Sequence, residues 1–201
     1  FDSGVAAKKI ASTNITFAIP RRDHSTSTVY DKYEHNISSS NTTNSGATNL
    51  FDSTFYFRTS ANRVYKVLDN GSNGLMTAEP TAEDAGIITQ DNYKLLYMYT
   101  ITAAEQQAFL TTDFMPVSTD STVSARATDG KIEDTVIIPS GGGGTGGTNG
   151  THTGVDIRGD GTGGKATVVI SSNTVSSVTV TTAGSGYTFA TISDADINTA
   201  G

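Results

Sequence analysis

Apolar and polar positions alternate most densely between residues 55 and 117, where five of the eight tyrosines and four of the eight phenylalanines fall. Within that stretch Asn62-Arg63-Val64-Tyr65-Lys66-Val67-Leu68 runs into Asp69-Asn70-Gly71. Successive side chains of an extended chain point to opposite faces, so Val64, Lys66 and Leu68 are expected on one side and Arg63, Tyr65 and Val67 on the other, in a strand that ends at a turn. Tyr93-Lys94-Leu95-Leu96-Tyr97-Met98-Tyr99-Thr100-Ile101 is denser still. Its length and its aromatic and β-branched content predict the central strand of a sheet, covered on both faces. Thr102-Ala103-Ala104-Glu105 then fits a capping box, in which the Thr hydroxyl and the Glu carboxylate each satisfy an otherwise unpaired backbone N–H. The helix it starts is expected to stop near Thr112, ahead of Pro116.

The flanks carry weaker patterns. Residues 3–10 predict a short helix capped by Ser3, with Val5, Ala6 and Ile10 on one side. Residues 14–19 alternate as a strand that Pro20 halts, and the charges and rings of residues 21–33 suggest an exposed connection. Residues 38–48 are nearly all Ser, Thr and Asn and offer little apolar surface against ordering entropy, which predicts a loop or partly mobile insertion. Residues 71–90 read as a long connection with one helical turn starting at Thr81, and residues 135–138 as a last apolar strand before Pro139. The glycine run at 140–150 has linker composition. Beyond it, residues 165–171 and 175–182 alternate around Ser172-Asn173, a hairpin that needs further chain or a partner to be stable. The expected architecture is mainly β: an antiparallel β-sandwich with short helices over residues 1–138, a Gly-rich linker or loop over 139–151, and a small C-terminal β-meander over 152–201, open to continuation past Gly201.

Composition agrees with short strands and many turns: 35% of 201 residues are hydrophobic, and Ser, Thr, Asn and 21 glycines take up the difference. Thirteen basic against 20 acidic residues give a net charge of −7, which argues against a nucleic-acid partner, since phosphate contacts need clustered Lys and Arg. Without cysteine there is neither a disulfide framework nor a thiolate metal site. No window reaches the roughly 18 apolar residues of a membrane span, and no signal-peptide pattern opens the chain, so a soluble protein without a membrane partner is expected. Phe1 stands where a Met would, so the sequence reads as one segment of a longer polypeptide.

Several motifs suggest chemistry and fall short of it. Gly159-Asp160-Gly161-Thr162-Gly163-Gly164-Lys165-Ala166 has phosphate-loop spacing, but Ala166 replaces the metal-binding hydroxyl and a strand follows where a helix is required. Asp156, Asp160 and Asp69-Asn70-Gly71-Ser72-Asn73-Gly74 lack the ligand spacing of a calcium loop and read as turns. His24, His35 and His152 are far apart, and the neighbouring pair Asp23 and His24 do not face each other in an extended chain. Gly184-Ser185-Gly186 is a tight turn before Tyr187 rather than a nucleophile elbow. Glu83-Asp84 has no apolar setting to raise a pKa. Sequons at Asn14, Asn36, Asn41 and Asn149 are as frequent as chance gives. No catalytic, cofactor-binding or metal-ligating residue is expected, and no small-molecule substrate.

Ala18-Ile19-Pro20-Arg21-Arg22-Asp23, Tyr30-Asp31-Lys32-Tyr33, Val64-Tyr65-Lys66-Val67-Leu68-Asp69, Glu79-Pro80 and the run from Asp91 to Ile101 follow one another in an order that resembles the baseplate wedge protein, gene product eight, of T-even-like contractile-tailed bacteriophages. The resemblance spans about residues 15 to 117, and Phe109 to Val117 is similar to marine-phage versions. The glycine-rich stretch has no counterpart there, whereas Val175 to Thr188 is similar to a β-module, closing in Gly-Ser-Gly-Tyr-Thr, that recurs in phage tail proteins. The resemblance implies a β-sandwich-based homodimer that joins neighbouring wedge subunits in the virion after assembly in the host cytoplasm, with no catalytic residues. Residues 30–33 and 71–90 are the expected contact surfaces. A carbohydrate- or receptor-binding β-module of a tail fibre, with Tyr187 stacking on sugar rings, is the competing expectation. A polysaccharide depolymerase would need two convergent carboxylates, for which the chain offers no candidate.

Overall fold

The computed structural model describes residues 9–135 and 146–199. The helix expected over 3–10 and the strand over 135–138 lie outside them except at Lys9, Ile10 and Thr135, which adopt no regular structure. The protein is mainly β, 37% strand and 12% helix, built from antiparallel sheets with a few short helices in a β-sandwich-like arrangement.

Strands β1 (Ala18–Pro20), β2 (Tyr56–Arg58), β3 (Arg63–Asp69), β4 (Ile87–Gln90) and β5 (Tyr93–Thr100) precede helix α1 (Ala103–Phe109), strand β6 (Phe114–Pro116) and helix α2 (Ser121–Arg126). β5 sits inside a four-stranded sheet of order β2-β3-β5-β4, as its density predicts. One of its faces, Tyr93, Leu95, Tyr97 and Tyr99, is buried, while Lys94, Leu96, Met98 and Thr100 are half-buried, so only one face is fully covered. The two-sided alternation expected of β3 is broken by irregular register. Val64 pairs with Tyr99 and Tyr65 with Tyr97, which leaves Met98 as an extra residue, and both Val64 and Tyr65 are buried although adjacent. They serve different clusters: Tyr65 joins Tyr30, Phe57, Val67, Met76, Tyr93, Leu95 and Tyr97, and Val64 joins Tyr56, Tyr99, Ile101 and Met115.

The β4–β5 hairpin turns through Asp91 and Asn92, both at positive φ (51° and 68°), the type I′ geometry that matches strand twist. The capping box forms as predicted: Thr102 accepts from the Glu105 N–H and Glu105 accepts from the Thr102 N–H. α1 ends at Phe109, short of Thr112, because Leu110 turns extended (φ −75°, ψ 124°) into a turn in which the Thr111 N–H donates to the Phe114 carbonyl.

Three expectations need correction. Residues 21–33 are an exposed connection only in part, with Tyr30 and Asp31 buried and Asp23 and Ser25 to Ser27 exposed. The Arg58 N–H donates to the Arg22 carbonyl (2.7 Å) and the His24 N–H to the Arg58 carbonyl (2.8 Å), so this stretch lengthens the sheet at β2 and turns His24 and Tyr30 onto Phe57. Residues 71–86 hold no helical turn at Thr81. Met76 is buried and bridges Thr28, and the Tyr65 hydroxyl donates to the Ala82 carbonyl (2.7 Å), so the segment is laced to the sheet in irregular form. The first strand is limited to β1 because residues 12–14 form a 3-10 turn, and Pro20 belongs to it rather than halting it.

The C-terminal part contains β7 (Gly150–Asp156), β8 (Arg158–Gly159), β9 (Thr162–Ser171), β10 (Thr174–Ser185), β11 (Ala190–Thr191) and α3 (Asp194–Thr199). β9 lies between β10 and β7 in a three-stranded meander. The expected hairpin turns at Ser172 and Asn173, again both at positive φ (52° and 63°). The extra cover such a meander requires comes from this same chain. Ile197 of α3 packs on Val155, Val168 and Ile170, and the Ile132 N–H donates to the Ala183 carbonyl (2.9 Å) along the outer edge of β10.

Tyr187 is the keystone. Its hydroxyl donates to the Ile157 carbonyl (2.9 Å) and accepts from the Gly164 N–H (3.1 Å). A Cβ at Gly161 would stand 2.5 Å from the ring and one at Gly184 2.6 Å, so these two positions have no room for a side chain.

Candidate interaction surface

β1 and β6 form a separate two-stranded ribbon, with Ile19 opposite Met115. It is fastened to the main sheet by two tyrosines: the Tyr56 hydroxyl donates to the Pro20 carbonyl (2.8 Å) and the Tyr99 hydroxyl to the Pro116 carbonyl (3.1 Å). Ile19 and Met115 face the Tyr56, Val64, Tyr99 and Ile101 cluster. The chain before β1 is already extended at Ile15 (φ −129°, ψ 146°), and the Val117 N–H donates to the Phe17 carbonyl (2.8 Å). Strand alternation therefore puts Ile15 and Phe17 in the same row as Ile19, running on past the end of the core.

Among the described residues nothing covers that continuation: Phe17 is 85% exposed, Ile15 65% and Val117 38%. Single exposed apolar residues are ordinary, but a row of them continuing a core face marks a contact surface. Residues 10–20 and 114–119 carry no charged side chain, in a chain whose net charge is −7. Beside the ribbon, the Arg22 guanidinium lies 5.5 Å over the Tyr56 ring and donates to the carbonyl of Phe51, another exposed aromatic.

Most of the residues that suggested chemistry have structural partners, while His35 and Asp84 are exposed. Gly159 to Ala166 is a strand-to-strand turn with no helix after it, and Asp160 accepts from the Thr188 hydroxyl (2.5 Å) and N–H (2.9 Å), which holds its carboxyl down to about 2. Asp156 pairs with Lys165 across β7 and β9 (2.6 Å). Within residues 69–74, Asn70 donates to the Tyr30 carbonyl (3.0 Å) in a turn. Glu83 pairs with Arg63 (2.5 Å), and Arg21 and Arg58 both pair with Asp23. His152 lies against the Thr148 carbonyl (3.2 Å). Among the described residues no group of three or more His, Asp or Glu could hold a metal ion. Tyr187 is 8% exposed with its hydroxyl committed, so it offers no platform for a sugar ring.

The two segments expected to make contacts are partly buried, and 71–90 exposes Ser72, Asn73, Leu75, Thr77 and Ala78 among others. Tyr30 and Asp31 of 30–33 are buried, as is Met76 of 71–90. Lys66 packs its ammonium 3.4 Å from the Tyr33 ring centroid, and burial lowers its pKa. His24 is enclosed: its side chain is 3% exposed, Tyr30 stacks on it, Phe57 meets it edge-on, and its Nδ1 lies 3.9 Å from Glu79 Oε1. The alternation of Ile15, Phe17 and Ile19 is legible in the strand pattern of residues 14–19, but its exposure is not. No protein-family model, curated protein or solved structure matches the chain.

Proposed function

We propose that this chain is a structural subunit of a bacteriophage tail baseplate wedge, which pairs with a second copy of itself through the β1/β6 ribbon and joins neighbouring wedge proteins in the virion. The uncharged apolar row of Ile15, Phe17 and Val117 carries the reading. A two-fold interface brings the same patch of both copies together, so any unbalanced charge on it meets its own like. The ribbon adds no charge of its own to such an interface, although other stretches such as residues 166–193 are uncharged too, so it is the exposure of the apolar row that singles the ribbon out. The order of motifs between residues 15 and 117 that resembles the wedge protein adds to this.

Hydrogen exchange at rising protein concentration tests the contact. Amides of residues 15–19 and of Phe114, Met115 and Val117 are expected to gain protection as pairs form, while those of β7 do not. Protection that arises at the edges of the C-terminal meander instead would move the contact away from the ribbon and remove its support for the reading. The tail-fibre alternative has no observation in its favour, since the tyrosine proposed to stack on sugars is interior.

A further inference from the structure

We propose that His24 is the acid-sensitive element of a latch that holds the turn at residues 24–30 and the segment at 71–80 against β2, and that its protonation opens this layer while the rest of the sheet stays paired.

The layer is one mechanical piece. Thr28 bridges Met76, the Ser27 N–H donates to the Met76 carbonyl (2.8 Å) and the Met76 N–H to the Thr28 carbonyl (3.0 Å). Besides the Tyr93 hydroxyl, which donates to the Gly74 carbonyl (2.6 Å), and the Thr77 and Ala78 N–H groups, which donate to Asp91, two ties lie beside His24. Glu79 accepts from the Ser60 N–H (2.9 Å) and hydroxyl (2.5 Å), and the rings of His24 and Tyr30 pack on Phe57, with centroids 5.4 and 4.6 Å away. His24 Nε2 is buried and has no hydrogen-bond partner. A neutral imidazole tolerates this by presenting a bare lone pair, whereas an imidazolium puts an N–H and a charge there with nothing to accept them.

The groups facing His24 come from every element around it. Phe57 of β2 and Tyr30 of the turn present rings. Arg58 of β2 is already paired with Asp23 (2.7 Å). Glu79 stands 3.9 Å from Nδ1, and Asp91 of the β4–β5 turn is anchored on the Thr77 and Ala78 N–H groups (2.7 and 3.2 Å). Burial disfavours the charged ring, Glu79 and Asp91 favour it, and burial prevails, so the pKa lies below 6.5 in the closed layer. With the closed-state value depressed, the contribution of the latch is fully present above pH 6.5 and is lost as pH falls below it, by at most about tenfold in the closed-to-open ratio per pH unit for one proton.

Hydrogen exchange of the full chain between pH 7.5 and 5, corrected for intrinsic rates, reads the opening at the Ser27, Ser60 and Met76 amides. Protection at these three is expected to fall below pH 6.5 while that of Tyr65 and Leu95 holds, and to stay flat in His24→Phe, which keeps a ring but cannot titrate. Unchanged protection in the natural protein, or the same fall in His24→Phe, overturns the proposal. Ring-proton NMR of the natural protein gives a check that needs no variant: a His24 pKa at or above 6.5 overturns it as well.

Discussion

Asp31→Asn should cost this protein about 3 kcal/mol, although it changes one atom. The Asp31 side chain lies in a residue only 1% exposed and gathers four donors. Oδ1 accepts from the Ser45 N–H (2.8 Å), and Oδ2 accepts from the Ser45 hydroxyl (2.6 Å), the Ser53 hydroxyl (3.1 Å) and the Thr54 N–H (2.8 Å). An amide in its best orientation keeps its oxygen toward the three donors at Oδ2 and turns its NH₂ against the Ser45 N–H. One charge-assisted bond, worth about 1.5–3 kcal/mol, is replaced by two donors facing each other. The remaining bonds lose their ionic half, since charged hydrogen bonds are roughly twice as strong as neutral ones. Urea unfolding should show a lower midpoint at unchanged slope. Hydrogen exchange should rise first over residues 38–54, the loop that this carboxylate ties down. Asp52→Asn on the same loop, whose carboxylate is exposed and bonded to Asn49, should cost under about 0.5 kcal/mol. Burial alone would push the Asp31 carboxyl up, but the bonds from Ser45 and Thr54 outweigh it and hold it below 3.8. Its stabilisation is therefore present above that pH and is lost as pH falls through the lowered folded value, so the variant should flatten the acid limb of the stability profile. A loss below about 1 kcal/mol, or unaltered exchange over residues 38–54, would refute the view that Asp31 orders the loop.

Gly161→Ala should open the C-terminal meander while β3 and β5 keep their protection, because the new Cβ meets Tyr187 Cγ at 2.5 Å and the Ser185 carbonyl at 2.6 Å. Hydrogen exchange separates the two regions, and equal loss in both would mean that they unfold as one. Tyr187→Phe leaves the Ile157 carbonyl and the Gly164 N–H without their partner and should cost about 1–3 kcal/mol in denaturant unfolding. Thr102→Ala removes one side of the capping box and should cost about 1 kcal/mol, read by the same assay.

Local patterns were legible in the sequence and distant pairings were not. The central position of β5, the Thr102 cap and the Ser172-Asn173 turn each follow from residues within a few positions of one another, and all three are found. Residues 21–33 look exposed in sequence because the pairing of Asp23 with Arg58 and the packing of Tyr30 on Phe57 bring together positions remote in sequence. The polar texture of residues 38–48 hid an ordered loop for the same reason: its anchor, Asp31, precedes it, and Ser53 and Thr54 follow it. The split of the core into two clusters arises from the register shift at Met98, which alternation does not foresee. At the ribbon, the Ile15, Phe17, Ile19 row suggested a strand, but how far its face is covered is decided by Met115, across the ribbon from Ile19.

Light scattering on the natural chain and on Phe17→Asp tests self-association through the ribbon most directly. Burying a phenylalanine side chain is worth about 1.5–3 kcal/mol, and a two-fold contact counts it twice, so a carboxylate at that position should abolish pairing. The natural chain is predicted to scatter as twice 20.9 kDa and Phe17→Asp as a single chain that still unfolds cooperatively in urea, at a midpoint that no longer rises with protein concentration. A natural chain that stays at 20.9 kDa at all concentrations, or a variant that still pairs, would contradict it.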